Sequence, residues 1–391
     1  MLDHNPSAPI PSLDHELRQN LSRSQGAAEQ TFSLPPKVYR DEAIAHQEID
    51  AIFKKKWFSI GRADRFEANG DFDTLDVLGV SLILLRDNEG KLRAFANSCR
   101  HRGARLLDGS GNCRGIRCPF HSWSYRLDGS LAGAPRMSDS VGFDKADHGL
   151  VEFSIDEVCG FAFVSLNPDV EPLTDQLGDF AQLHAPWPLG EMKSARRRSF
   201  EVGCNWKCFL EVFNEYYHLP FVHADSIDAV YDDPEPGDQV TGQYASQFGK
   251  TQGTGGLLEA QQSHALPDIP NLGEAGQSGV RYTWVFPNLA FAAGTDAVWL
   301  YEAYPLGPNR CIVYQTTVFH PETMALPQFD EKVEQYHIRM DAALAEDVPA
   351  LENHHRGLCS PHAQQGRFSP LLEINVATFA DWYAGHLMNS N

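Results

Sequence analysis

From Trp57 onward the hydrophobic pattern turns to short strands. The stretches WFSIGRA and FDTLDVLGVSLILLRD read as strands, and turn signals follow at Asn88-Glu89-Gly90 and Asp128-Gly129. Short strands joined by tight turns are typical of a small antiparallel β domain. The stretch GFAFVSLNP reads as its last strand, so the pattern predicts a β domain over residues 57–165.

The flanking segments follow other patterns. Residues 1–56 begin as a polar arm with several prolines and continue with apolar positions at roughly helical spacing. In residues 166–391, the alternating stretches VRYTWVF and AVWLYEAYP precede a long helix predicted over 327–357 and a shorter one over 374–387. Residues 226–280 show little periodicity and predict an irregular lid. The pattern as a whole predicts an α+β protein made of these three parts.

Composition and charge exclude several classes. With 42% apolar and 21% charged residues the chain is typical of globular proteins, and its net charge of −20 argues against binding nucleic acid. We find neither a signal peptide nor an apolar run of membrane-spanning length. The eight cysteines show no pairing pattern, which fits a reducing compartment, so we expect a cytoplasmic protein that does not bind membranes.

One stretch, CRHRGARLLDGSGNCRGIRCPFH, combines metal-ligand residues at regular spacing. Cys99 and His101 form its first half, and Cys118 and His121 form its second. A single zinc ion would take all four residues in one tetrahedron, commonly as a Cys pair and a His pair. Each half here is mixed, which is the order expected when both cysteines bind one iron and both histidines bind the other iron of a [2Fe-2S] cluster.

The same stretch is basic on an acidic protein. Its five arginines face a single acid, Asp108. This charge predicts a docking surface for an acidic electron donor or a neighbouring subunit, with an ordinary solvated loop as the alternative. The arginines are Arg100, Arg102, Arg105, Arg114 and Arg117.

A second candidate site lies in the stretch NWKCFLEVFNEYYHLPFVH. His218 and His223 stand close together, although Pro220 between them interrupts a helix. Two histidines alone are more often a structural pair than metal ligands. Two histidines and one carboxylate are the usual ligands of an O2-activating mononuclear Fe(II).

The Cys/His motif and the paired histidines resemble those of Rieske non-heme iron oxygenases, catalytic subunit, and the resemblance covers nearly the whole chain. It implies a Rieske domain followed by a helix-grip catalytic domain, in which a curved antiparallel sheet grips a long helix. It also implies that His218 and His223 bind Fe(II). Asp347 aligns with the third ligand, in a helix that also offers Glu346.

Glu215 occupies a position at which many family members carry a bridging aspartate. The resemblance implies that it contacts His218 of its own chain and His121 of a neighbour, so the active unit is a ring, most simply a trimer. Glutamate at this position is typical of relatives that oxidise quaternary ammonium compounds such as carnitine.

The family's chemistry implies a terminal oxygenase that uses O2 and electrons from NAD(P)H, delivered by a reductase and in some systems through a ferredoxin. Glu215 and the acidic composition favour oxidative demethylation or hydroxylation of a small methylated amine, with aromatic ring hydroxylation as the alternative. A Rieske electron carrier without oxygenase activity is an alternative of another class. Five aromatic residues are candidates for the pocket or a cation–π cage, unless they only pack the core: Tyr282, Trp284, Phe286, Trp299 and Tyr301.

Overall fold

The structure, a computed structural model, describes residues 13–224, 226–273 and 276–389. The chain forms two compact units. One comprises residues 54–170, and the other combines the segment before residue 54 with the segment from residue 171 onward. The N-terminal segment therefore packs with the larger, C-terminal unit.

The first unit is a β structure, as the alternating pattern predicts. A seven-stranded sheet has the order β1-β10-β9-β4-β3-β2-β5, and a three-stranded sheet has the order β6-β7-β8. The strands are β1 (Phe58–Arg62), β2 (Asp71–Val77), β3 (Val80–Arg86), β4 (Leu92–Ala96), β5 (Ser110–Asn112), β6 (Ile116–Arg117), β7 (Ser124–Tyr125), β8 (Leu131–Gly133), β9 (Glu152–Val158) and β10 (Phe161–Ser165). Short 3-10 helices cover Ala63–Arg65 and Lys145–His148.

Two predicted turns in this unit are confirmed. Gly90 lies between β3 and β4 with φ of 78°, and Gly129 lies between β7 and β8 with φ of 83°. Glycine adopts these positive angles without the steric cost that a Cβ atom imposes. At Gly129 a Cβ would also come within 2.5 Å of the ring of Phe95.

The second unit holds all ten α-helices of the described chain: α1 (His15–Ser22), α2 (Lys37–Arg40), α3 (Glu42–Glu48), α4 (Leu173–Leu177), α5 (Phe180–Leu183), α6 (Trp206–Phe213), α7 (Leu219–Val222), α8 (Pro321–Met324), α9 (Phe329–Leu358) and α10 (Ile374–Met388). A π-helix covers Ile49–Phe53, and 3-10 helices cover Asp228–Val230, Glu259–His264 and Gly276–Ser278. The predicted long helix and the shorter C-terminal helix are confirmed as α9 and α10.

A seven-stranded antiparallel sheet forms the centre of the second unit, in the order β11-β17-β16-β15-β14-β13-β12. Its strands are β11 (Lys193–Val202), β12 (Tyr231–Pro234), β13 (Tyr244–Thr251), β14 (Gly279–Val285), β15 (Leu289–Ala293), β16 (Val298–Gly307) and β17 (Arg310–Phe319). Helix α6 packs on β15, β16 and β17 and also contacts α9. The α+β class and the helix-grip arrangement are thus confirmed.

The expectation of an irregular lid over residues 226–280 is wrong for much of that segment. It supplies β12 and β13, and β13 pairs with β14 from Tyr244 to Lys250. The stretch YASQFGKT lacks a simple alternation because its first six residues are all buried. Small and polar side chains such as Ser246 and Gln247 are tolerated there because the core supplies hydrogen-bond partners, as Leu371 does for Gln247.

No described helix combines the length and the apolar character needed to cross a bilayer.

Candidate metal centres and substrate pocket

The four predicted cluster residues come from two loops of the first unit. Cys99 and His101 follow β4, and Cys118 and His121 lie between β6 and β7. Each loop is tight, because the Cys99 N–H donates to Ala104 and the Cys118 N–H donates to the Trp123 carbonyl at 2.7 Å. The loops bring the two imidazole rings to 4.7 Å between centroids.

The surroundings of these residues suit metal binding. Both thiols are buried, at 3% exposure for Cys99 and 2% for Cys118, and the Cys99 sulfur lies 3.3 Å from the Tyr125 hydroxyl. Burial raises the pKa of Cys118, but the N–H groups of Phe120 and His121 outweigh it, so the net shift is downward and favours thiolate.

The histidine side of the loops is held differently. The Trp123 ring stacks on His101 at 4.9 Å. Burial, together with the neighbouring His121, lowers the pKa of His101 and favours the neutral ring that a metal requires.

The arrangement of the four residues fits two irons better than one zinc. In the described part of the chain, only one set of His, Cys, Asp or Glu brings three ligand atoms within 4.8 Å of one another, and that set lies elsewhere. A zinc tetrahedron would gather all four ligand atoms around one point. The two loops instead present a sulfur pair and an imidazole pair, as a [2Fe-2S] cluster requires.

That other set is His218, His223 and Asp347 in the second unit. The histidines flank the short helix α7, and Asp347 projects from α9. The Asp347 Oδ1 atom lies 3.0 Å from His223 Nε2 and 3.7 Å from His218 Nε2. Asp347 Oδ1 is buried and makes no hydrogen bond to any described residue, so the site offers two ring nitrogens and an unpartnered carboxylate oxygen to one ion.

Two glutamates hold the opposite nitrogens of these rings. Glu215 Oε1 lies 2.5 Å from His218 Nδ1, and Glu346 Oε2 lies 2.6 Å from His223 Nδ1. A carboxylate accepts, so each Nδ1 carries the proton and each Nε2 presents its lone pair to the metal. Burial lowers the pKa of His218, but the Glu215 hydrogen bond prevails and the net shift is upward.

The structure separates the roles of two adjacent acids that the sequence leaves open. Asp347 faces both ring nitrogens, whereas Glu346 contacts His223 Nδ1 and accepts from the Ser226 hydroxyl at 2.7 Å. Glu215 accepts with its other oxygen from the backbone N–H groups of Tyr217 and His218. The contact between Glu215 and His218 is therefore present within one chain.

A narrow cavity of about 50 Å³ opens beside the three potential ligands. Its aromatic wall includes Phe209, Phe213 and Tyr216, which follow one another at helical spacing, and also Tyr282 and Tyr301. Of the five aromatic candidates from the sequence, only Tyr282 and Tyr301 line this cavity. The Trp284 ring stacks on Phe379 at 3.9 Å, and the Phe286 ring lies 5.0 Å from Trp382, so both pack against α10.

Comparison with known proteins identifies this architecture. Residues 189–389 match the catalytic domain of ring-hydroxylating alpha subunits, and residues 56–151 match the Rieske [2Fe-2S] domain. The chain belongs to the ring-hydroxylating alpha-subunit family. It is thus a Rieske-type oxygenase, and its cofactors are a [2Fe-2S] cluster and a mononuclear iron.

The similar proteins include oxygenase subunits of a carnitine monooxygenase and a glycine betaine monooxygenase. The chain is 27% identical over 366 residues to the carnitine monooxygenase oxygenase subunit of Acinetobacter pittii, covering 91% of this chain and 95% of the relative. It is 28% identical over 389 residues to the glycine betaine monooxygenase oxygenase subunit of Chromohalobacter salexigens, covering 91% and 86%.

A solved structure shows the same fold. The quaternary ammonium Rieske monooxygenase CntA in complex with L-carnitine superposes with a TM-score of 0.77 at 24% identity, covering 96% of this chain and 99% of that one. An isolated electron carrier, the alternative of another class, does not account for the catalytic domain or for the set of His218, His223 and Asp347.

Proposed function

We propose that this oxygenase oxidatively demethylates a small methylated amine, with His218, His223 and Asp347 as the iron ligands and Cys99, His101, Cys118 and His121 as the cluster ligands. The observation that carries the proposal is the convergence of two Nε2 atoms and one free carboxylate oxygen at the end of a narrow aromatic cavity. When bound, the iron supplies O2 activation and the cluster supplies electrons.

The cavity's aromatic walls favour a cationic substrate. The rings of Phe213 and Tyr301 lie 4.7 Å apart, and those of Phe213 and Tyr282 lie 5.4 Å apart. Aromatic faces attract methylated ammonium groups through cation–π interactions. The relatives that act on carnitine and glycine betaine support the same substrate class.

The reaction balances with one O2, two electrons and two protons. One oxygen atom enters a C–H bond of an N-methyl group, and the other leaves as water. The N-hydroxymethyl product then breaks its C–N bond and yields formaldehyde and the demethylated amine. The electrons come from NAD(P)H through a reductase, directly or by way of a ferredoxin.

We further propose a ring of subunits, most simply a trimer, in which Glu215 of one chain meets His121 of the next. Each unit has an exposed apolar patch at its metal site. The cluster patch comprises Pro119, Phe120 and His121, with Phe120 59% exposed, and the iron patch comprises Tyr217, Pro220 and Phe221, with Phe221 76% exposed. Different patches that meet head to tail generate a closed ring when the rotation allows it.

The test uses anaerobically purified protein, its reductase, NADH and a panel of methylated amines and aromatic acids. About three irons and two sulfides per chain are expected, with a low average g value in the EPR spectrum that indicates a His-ligated cluster. A methylated amine should release formaldehyde in proportion to the O2 consumed. Turnover of aromatic acids alone would refute the proposed substrate class.

His223→Ala should keep the brown cluster and its EPR signal, lose about one iron per chain and abolish formaldehyde release. The control is His362→Ala, since His362 is exposed and lies outside both sites. Retained turnover in the His223 variant would contradict its assignment as an iron ligand.

A further inference from the structure

A buried arginine lines the substrate cavity without an acidic partner. Arg339 of α9 is 4% exposed and shares the cavity lining with Tyr282 and Tyr301. No carboxylate of the described residues lies within ion-pair distance of its guanidinium, and the neighbours that affect its charge most are tyrosines. In contrast, the half-buried Arg281 pairs with Asp238.

The contacts of Arg339 leave much of its hydrogen-bonding capacity unused. One terminal nitrogen donates to the Tyr231 hydroxyl at 3.2 Å, and the other lies 3.6 Å from the sulfur of Met340. The buried Nε–H group finds no acceptor among the residues that the structure describes. The guanidinium also lies over the Trp299 ring at 5.1 Å, so Trp299 serves Arg339 and does not line the cavity.

A buried charge without a counter-charge is costly to the folded protein. The Tyr231 hydroxyl and the face of the Trp299 ring offset only part of this cost. A planar guanidinium is well suited to bind a carboxylate through two parallel hydrogen bonds. The missing negative charge at Arg339 therefore points to an anionic group on the ligand that enters the cavity.

The position of Arg339 relative to the iron site sets the size of that ligand. Asp347 lies eight residues further along α9, a rise of about 12 Å, and Ala343 lines the cavity between them. Arg339 lines the same cavity as His218, His223 and Asp347, so a ligand that contacts both the iron ligands and the guanidinium would be a short molecule.

We propose that Arg339 binds the carboxylate of the substrate, so that the enzyme acts on a compound with a methylated ammonium at one end and a carboxylate at the other. This inference rests on the proposed function, because it places the substrate in the cavity beside His218, His223 and Asp347. It adds a specificity-determining residue and excludes amines without an anionic group as preferred substrates.

The test measures binding to the oxygenase loaded with both cofactors by calorimetry, without turnover. The ligands are glycine betaine, γ-butyrobetaine, carnitine and benzoate, each compared with its primary amide. At least one carboxylate should bind more tightly than its amide, and Arg339→Met should weaken the carboxylate by about 10- to 100-fold while leaving the amide unchanged. Arg339→Lys should restore part of the difference, because it restores the charge.

A purely structural role predicts other results. Arg339→Met leaves no orphaned hydroxyl, since Tyr231 keeps Gly255 and Tyr282 as hydrogen-bond partners at 3.3 Å and 2.9 Å. The melting temperature of the variant should therefore equal or exceed that of the wild type. The control is Arg196→Gln. Arg196 contacts Asp341, which lies on α9 as Arg339 does, and Arg198 remains as a partner of Asp341 in the variant. It should not change the preference for carboxylates.

Two results would overturn the inference: wild-type protein that binds no carboxylate better than its amide, or Arg339→Met protein that keeps the preference. If only benzoate shows the Arg339-dependent preference, the carboxylate site stands and the proposed methylated-amine substrate fails.

Discussion

Individual carboxylates in the catalytic unit take different roles according to what lies on either side of them. Asp347 Oδ1 has no hydrogen-bond donor among the described residues and faces two imidazoles, whereas Glu346 and Glu215 each hold one imidazole by its Nδ1 atom.

Glu211 accepts from the Tyr39 hydroxyl at 2.6 Å and faces a separate cavity of about 200 Å³. Burial raises the pKa of Glu211 to about 7, and the Tyr39 hydrogen bond offsets only part of that effect.

The raised pKa of Glu211 predicts a dependence of stability on pH. Because its ordinary pKa is 4.5, the unfolded chain releases this proton before the folded chain does as pH rises. The folded state therefore loses stability through Glu211 between pH 4.5 and about 7.

Glu211→Gln removes this titration and keeps an acceptor for Tyr39. As the pH rises from 5 to 8, the free energy of unfolding of the variant should increase relative to that of the wild type by up to about 3 kcal/mol. The free energy of unfolding, measured in urea at both pH values, checks it. A difference between the two proteins that stays constant with pH would contradict the prediction.

At the scale of elements, the N-terminal segment helps to hold helix α6, which leads into the stretch with the proposed iron ligands His218 and His223. Glu48 of α3 accepts from Lys207 and Tyr383 and, at 3.0 Å, from the Trp206 indole. Lys207 also donates to the Val38 carbonyl at 3.0 Å. Both charged side chains are fully buried, so this network joins α3, α6 and α10 through a charge pair that water does not screen.

Glu48→Ala should therefore destabilise the protein by about 3–5 kcal/mol, because it leaves the Lys207 ammonium buried without a counter-charge. The control is Glu201→Ala, which removes the acid of an exposed pair with Arg310 and should cost less than about 1 kcal/mol. Chemical denaturation of both variants with iron bound is the measurement. Equal losses would show that the buried network contributes no more than a surface pair.

Sequence reasoning predicts the local features here. The long helix and the hairpins follow from spacing and turn residues and are confirmed, and the proposed cluster residues lie in one short stretch. The choice of Asp347 over Glu346 came from the family resemblance and not from the helix pattern, because neighbours on a helix diverge by about 100° and packing decides which of them faces the site. The significance of Arg339 also depends on packing, since the absence of an acidic partner is a property of the folded chain. The spacing of Phe209, Phe213 and Tyr216 was a usable signal for the cavity wall.

At the scale of the whole molecule, the proposed ring makes activity a shared property of neighbouring chains. The two exposed patches lie at different metal sites, and the basic stretch around the cluster patch keeps four arginines exposed, since only Arg105 is drawn into pairs with Asp76 and Asp108. Opposite charge and apolar contact would both favour docking on another copy of this acidic chain.

Complementation between two inactive variants tests this arrangement. His121→Ala disables the cluster and His223→Ala disables the iron site, so each homo-oligomer should have less than about 1% of wild-type formaldehyde release. Co-expressed in one cell, the two chains should recover a measurable fraction of activity, because some interfaces join an intact cluster to an intact iron site. Phe221→Asp, added to both chains, should abolish the recovery and reduce oligomer size in sedimentation. No recovery in stable mixed oligomers would contradict electron transfer between chains.

The placement of the proposed iron ligands has a topological consequence. Glu346, the residue before Asp347, lies 123 positions after His223, and six strands of the sheet stand between them in the chain. Iron held from both sides would act as a cross-link that closes this long loop, as a disulfide does in a secreted protein. A chelator would then remove a cross-link that stabilises the fold as well as the reactive centre, and α9 would be the first element to lose its attachment to the rest of the unit.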